Sequence, residues 1–132
     1  MSFLVDTDTC SAYLKGDRRV YSRFQQHTGQ LHVATITAAE LFTWALRRQS
    51  PPSRLADLLA FPGDMVPLEF DLTVARKFGE IRSQQLDQGN LTPEMDLMIA
   101  ATALAHGLAL VTHNTQDFAQ VPRLSLQDWL LP

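Results

Sequence analysis

The chain has a single cysteine, Cys10, so it can form no internal disulfide, and a reducing compartment suits it. Low-complexity tracts, long runs of like charge and repeating units are all missing from the 132 residues, which argues against disorder and against a solenoid. There is no long hydrophobic run. The longest, residues 97–111, is too short to cross a bilayer and contains His106-Gly107, so it reads as a buried helix followed by a buried strand. No signal peptide is expected either: Met1-Ser2-Phe3-Leu4-Val5-Asp6 has no basic residue, and Asp6 ends the apolar run at once. An excess of basic charge is also absent. Eleven Lys and Arg against fourteen Asp and Glu give a net charge of −3. Such a chain is not a general polyanion binder. If it acts on nucleic acid, a local basic patch or a bound cation must offset phosphate repulsion, or else a basic partner covers an acidic site.

What is present is an ordinary globular balance, 45% hydrophobic and 19% charged, in a length that suits one domain over residues 1–132. Phe3-Leu4-Val5 reads as a buried strand. Helices are expected over residues 9–14, stopped by Gly16, and over 18–28, with Val20, Phe24 and Tyr21 on the apolar side. Residues 31–35 form a second strand candidate. Thr37 then opens a helix with Ala38, Leu41, Phe42, Ala45 and Leu46 on one face. Pro51-Pro52 breaks it, a short helix restarts near Ser53, and residues 61–64 form a turn. A strand over 65–69 leads to a long helix over 71–88, with Leu72, Ala75, Phe78, Gly79 and Leu86 inward, ended by Gly89-Asn90. Thr92-Pro93-Glu94 reads as a helix start, with Thr92 as the cap, and that helix stops at Gly107. A strand over 108–112 and a last edge strand around Leu124 complete the pattern. Strands alternating with helices predict an α/β fold: a central, mostly parallel sheet with helices on both faces. Ligands of such sheets collect at the carboxyl ends of the strands.

Acidic and amide residues fall at those ends. Asp6 and Asp8 follow the first strand, Glu40 the second, and Asn114 and Asp117 the strand over 108–112, while Asp96 stands in the first turn of its helix. Side by side, such strands would bring the acids together. At an effective dielectric of about 20, two carboxylates 4 Å apart repel by roughly 4 kcal/mol, so a cluster persists by binding a cation or by holding protons. Oxygen donors with no Cys–His set favour Mg²⁺ or Mn²⁺. Each acid also has a plainer role open to it. Asp6 and Asp8 fit Asx turns or a helix cap, Thr37-Ala38-Ala39-Glu40 matches a capping box, Asp96 complements a helix dipole, and Asn114-Thr115-Gln116-Asp117 fits a capped turn.

The joint pattern resembles the PIN-domain ribonucleases, and among them the VapC-type toxins. Phe3-Leu4-Val5-Asp6-Thr7-Asp8 resembles the family's opening motif, and Ile36-Thr37-Ala38-Ala39-Glu40-Leu41 its second. Asp96-Leu97-Met98-Ile99-Ala100-Ala101-Thr102-Ala103-Leu104 is similar to the third, and Leu110-Val111-Thr112-His113-Asn114-Thr115-Gln116-Asp117-Phe118 with Val121-Pro122 to the fourth. The closing Leu124-Ser125-Leu126-Gln127-Asp128-Trp129 resembles a VapC-type tail. The resemblance implies Asp6, Glu40 and Asp96 as the acids holding Mg²⁺ or Mn²⁺, with Asp117 as the fourth and Asn114 orienting it. Asn114, Asp8 and Thr112 are secondary members. Asp8 departs from the commoner Asn, Asn114 stands where many members have Asp, and His113 stands where Asn is frequent. The resemblance further implies hydrolysis of RNA, often tRNA, by a metal-activated water, a homodimer, a VapB-like antitoxin whose tail covers the site, no membrane association, and a bacterial or archaeal cytoplasm.

Candidate phosphate contacts are Lys15, Arg18, Arg19, Arg23, Arg47, Arg48, Arg76, Lys77 and Arg82. Tyr13, Tyr21 and Trp44 are candidates for base stacking, and all of these also fit ordinary helix faces or core packing. His27, His32, His106 and His113 have no metal-ligand spacing, and only His113 lies near the acids. Two other functions remain open. Asp6-Thr7-Asp8 approaches the Asp-x-Asp of haloacid-dehalogenase-like phosphatases, but Cys10 and the placement of Asp96 in a helix fit that class poorly. A non-catalytic PIN-like binding module would be expected to have lost Asp6 or Asp96.

Overall fold

The computed structural model describes residues 1–61 and 65–131. In chain order the elements are β1 (Phe3–Val5), α1 (Thr7–Leu14), α2 (Arg18–Gln26), β2 (Leu31–Ala34), α3 (Thr35–Leu46), α4 (Pro52–Leu59), β3 (Val66–Leu68), α5 (Leu72–Gln88), α6 (Glu94–Ala105), β4 (Ala109–Val111), a 3-10 turn (Thr115–Phe118) and β5 (Leu126–Gln127). The expected turn over 61–64 lies, except for Phe61, outside the described residues.

All five strands run parallel, in the order β3-β2-β1-β4-β5. The chain builds outward from β1 through β2 to β3, then returns to the other side of β1 to lay down β4. The strand order therefore reverses between β1 and β4, which places the crevice of the sheet at the ends of Val5 and Val111.

The strands alternate as a two-sided sheet requires. Phe3, Val5, Ala109 and Val111 point to one face, packing with Cys10, Val20, Phe24, Leu41, Ala45, Leu58 and Trp129 from α1 to α4 and the C-terminal segment. Leu4 and Leu110 point to the other, against Ile81, Leu97, Ile99, Ala100 and Ala103 of α5 and α6. Leu4, Val5, Leu110 and Val111 are completely buried, each contributing roughly 1.5–3 kcal/mol of hydrophobic stabilisation.

Several local expectations change. Helix α1 starts at Thr7, two residues early, because Asp6 caps it by accepting from the Thr9 amide at 2.9 Å. Helix α3 starts at Thr35 with no side-chain cap, so the Thr37–Glu40 capping box does not form, and Thr37 is buried within the first turn. Phe42 and Leu46 of α3 are exposed. On α5 the inward face is Val74, Ile81 and Gln85 with Phe78 partly buried, whereas Leu72, Gly79 and Leu86 face outward. Thr92 does not cap α6; Pro93 occupies the cap position. Thr92 instead pairs with the Gln85 side chain, its hydroxyl accepting from Nε2 at 2.8 Å and its backbone amide donating to Oε1 at 3.0 Å. The edge strand lies at Leu126–Gln127, just beyond Leu124. No helix among the described residues is long and apolar enough to cross a membrane.

Candidate active site

Asp6 leaves β1 at the floor of the crevice. Its backbone amide donates to the Val111 carbonyl at 3.0 Å, which ties it to the end of β4. The side chain is 4% exposed. Burial pushes its carboxyl above the ordinary aspartate range, while hydrogen bonds from the Thr112 hydroxyl and the Thr9 amide pull partly the other way. Thr112 thus enters as a donor to Asp6 from the neighbouring strand, and it also accepts from the Asn114 amide at 3.0 Å. The Thr9 hydroxyl is buried beside this group and makes no hydrogen bond of ordinary geometry.

Glu40 comes from α3. Freed from a capping box, its carboxylate accepts from the Thr7 hydroxyl at 2.5 Å, and Thr7 also lies 3.3 Å from the Thr37 hydroxyl. Thr7 therefore links the β1–α1 junction to α3. The motif analysis did not single it out; the available signal was a hydroxyl between two acids at a helix start.

Asp96 enters from the first turn of α6 and is half-buried. Its carboxyl is pushed up to about 6, first by burial and then by the charges of Asp117, Glu40, Asp6 and Asp8 in that order. The other four predicted acids are thus near enough for their charge to reach Asp96. Asp117, in the 3-10 turn, is the acid that acts most strongly on Asp96. Asn114 donates its side-chain amide to Asp8 at 2.5 Å, so it orients Asp8 and not Asp117. Asp8 and Asp117 are exposed at the rim.

The donor set is made entirely of carboxylate oxygens, which suits a hard cation. Among the described residues no three His, Cys, Asp or Glu side chains stand close enough to enclose an ion. The acids form an open ring. Mg²⁺ keeps several of its waters and takes only one or two carboxylates directly, so such a ring fits it.

Other candidates fall away from the ring. His113 bonds to Asp128 at 3.0 Å and faces outward. His27 stacks on Trp129, and His32 contacts the Phe3 carbonyl. Cys10 is completely buried. Tyr13 stacks on Phe24 and Tyr21. Arg19 is engaged by Asp17 and the Leu130 carbonyl, Arg76 by Glu80, and Arg82 by the Thr92 carbonyl.

A family model described as "PIN domain" matches residues 3–124. The tRNA(fMet)-specific endonuclease VapC of Shigella flexneri is 32% identical over 130 residues, covering 98% of each chain. The chain belongs to the PIN-domain family, in its VapC branch. Another VapC relative, Ribonuclease VapC2 of Haemophilus influenzae, is also 32% identical, over 98% of this chain and 99% of its own. The PIN fold of DNA-bound VapBC from Salmonella typhimurium superposes with a TM-score of 0.91 at 30% identity, over 98% of both chains. FitAcB from Neisseria gonorrhoeae follows at 0.79 and 26%.

Proposed function

We propose that this VapC-family chain is a toxin acting as an endoribonuclease dependent on Mg²⁺ or Mn²⁺, restrained by a VapB-like antitoxin. The observation that carries this reading is the unneutralised acid ring. Asp96 is half-buried, and the charges of Asp117, Glu40, Asp6 and Asp8, with burial, raise its carboxyl to about 6. Ribonuclease chemistry is supported by the curated VapC relatives, and a tRNA substrate by the tRNA(fMet)-specific endonuclease among them. The antitoxin is supported by solved relatives that are VapBC complexes.

In this reading Asp6, Glu40, Asp96 and Asp117 hold the cation. These residues would hold a divalent ion, whose chemistry would be to offset phosphate charge and to lower the pKa of a water so that it attacks phosphorus as hydroxide. The chain's own groups keep the acids in place. Thr112 and the Thr9 amide fix Asp6, Thr7 fixes Glu40, and Asn114 fixes Asp8. Water adds to phosphorus and the 3′-oxygen departs, so the ribose 2′-hydroxyl is not needed as nucleophile. We further propose a homodimer in the bacterial or archaeal cytoplasm, with no membrane association.

Purified protein freed of antitoxin should cut total tRNA into discrete fragments with Mg²⁺ or Mn²⁺, and not with EDTA. Asp96→Asn should lower cleavage about 10²–10³-fold or more. Cleavage that persists in EDTA, or that Asp96→Asn leaves intact, refutes the reading.

A further inference from the structure

Trp44 lies one helical turn after Glu40 on α3, so the two side chains share a face. Trp44 packs in part against the core over α1–α4 and also lines two cavities. One, a small pocket of about 110 Å³, is lined by Lys15, Ser53, Arg54 and Asp57, among others. The other, a wider groove of about 420 Å³, is walled by Ala39, Glu40, Thr43, Trp44, Arg47 and Met95, a size within the range of small-molecule sites.

The ring is braced by two cations. The Arg54 guanidinium sits 4.1 Å from its centroid and the Lys15 ammonium 5.5 Å. Arg54 is held by the Ser50 hydroxyl at 3.2 Å, and that hydroxyl donates to the Trp44 carbonyl at 2.5 Å. A half-buried indole held by cations and core packing, and bordering the groove, is a preorganised stacking surface.

Three features identify the occupant. The groove shares Glu40 with the acid ring, and Met95 precedes Asp96, so whatever lies there continues into the reaction centre. Arg47 is exposed and has no acidic partner among the described residues, which leaves its charge available to a phosphate. The remaining walls are largely apolar, as the face of a nucleobase requires. We infer that this groove is a nucleotide subsite: a base next to the bond to be cut stacks on Trp44 while Arg47 holds an adjoining phosphate. The inference rests on the ribonuclease reading above and adds its substrate contact.

The test is a cycle of substitutions in protein and RNA. Full-length wild type, Trp44→Phe and Trp44→Ala are assayed on a tRNA that wild type cuts, and on versions lacking one base at each position flanking the cut. Trp44→Ala should raise KM about ten- to a hundred-fold with kcat nearly kept, whereas Trp44→Phe should retain most function. Removing the stacked base should cost wild type a similar factor and Trp44→Ala nothing further. Ala39→Phe, at an exposed groove position, should raise KM without disturbing the fold.

An unchanged KM in Trp44→Ala, or losses that multiply at every position, overturns the subsite. Weakened antitoxin binding with RNA cleavage intact assigns the groove to a protein partner and also overturns it. If wild type cuts no RNA at all, the ribonuclease reading is what fails. The subsite then stands or falls on binding. A short single-stranded oligoribonucleotide should quench Trp44 emission, since Trp129 is buried, and no quenching overturns it.

Discussion

Asp17 and Asp96 both stand at the start of a helix, and their carboxyls shift in opposite directions. Asp17 caps α2, accepts from the Arg19 and Val20 amides, and pairs with the Arg19 guanidinium at 2.8 Å. Its pKa falls to about 2, with the Arg19 side chain as the first cause. Asp96 stands one turn into α6, and besides burial only other acids act on its carboxyl; its pKa rises to about 6. Asp17, whose task is structural, has both donors and a cation built around it. Asp6, Asp8 and Glu40 have donors but no paired cation among the described residues, and a binding site for a cation requires that vacancy of positive charge.

The largest way to break this contrast is Asp6→Asn. Asparagine caps a helix as well as aspartate does, so α1 and the fold should survive while tRNA cleavage drops about 10²–10³-fold. A variant that folds and still cuts would show that the buried acid is only a cap. Thr7→Val is the next test. It removes the hydroxyl that holds Glu40 and should lower kcat about ten- to a hundred-fold, with circular dichroism unchanged.

Titration sharpens the comparison further. In metal-free protein the folded state holds the Asp96 proton more tightly than the unfolded chain, so its stabilising contribution is full below about pH 4 and fades as pH rises through about 6. Asp17 behaves in the opposite sense, supporting the fold above about pH 4 and losing that support as pH falls through about 2. Melting curves in EDTA should therefore show wild type losing stability relative to Asp96→Asn between about pH 4 and pH 7, and added Mn²⁺ should reverse the loss. Parallel curves for the two proteins would mean the acid ring is not under repulsion. The smallest effect belongs to Asp17→Ala: cleavage is expected to stay at the wild-type level, with melting lowered by about 3–6 °C.

The sheet and the acid ring were legible because their signals are joint. Phe3-Leu4-Val5 and Ala109-Leu110-Val111 are continuous apolar runs, as strands buried on both faces must be, and each is followed at once by its polar site residues. Amphipathic faces were less legible. On α5, size and apolarity point Leu72 and Leu86 inward, yet both are exposed and Gln85 is buried beside Val74 and Ile81. Its amide finds both partners in Thr92, and a satisfied amide can occupy the interior. Phe42 and Leu46 of α3 were misplaced for a related reason, since helical spacing alone does not say how wide the buried stripe is. The capping box at Thr37 fits the local pattern well, but the helix begins two residues earlier and the Thr7 hydroxyl takes Glu40 instead. That contact spans 33 residues of sequence, beyond the reach of any local motif.

The lone thiol also has a practical consequence. Cys10 is completely buried in α1, its Sγ lies 3.8 Å from the Val5 carbonyl, and burial pushes its pKa well above the ordinary thiol value. A buried, protonated thiol reacts only when the helix lifts from the strand. Alkylation of native protein is therefore a one-site clock for the opening of the β1–α1 junction. Since Asp6 lies at that junction, the labelling rate with and without Mn²⁺ or antitoxin would measure how firmly each of them locks the floor of the site.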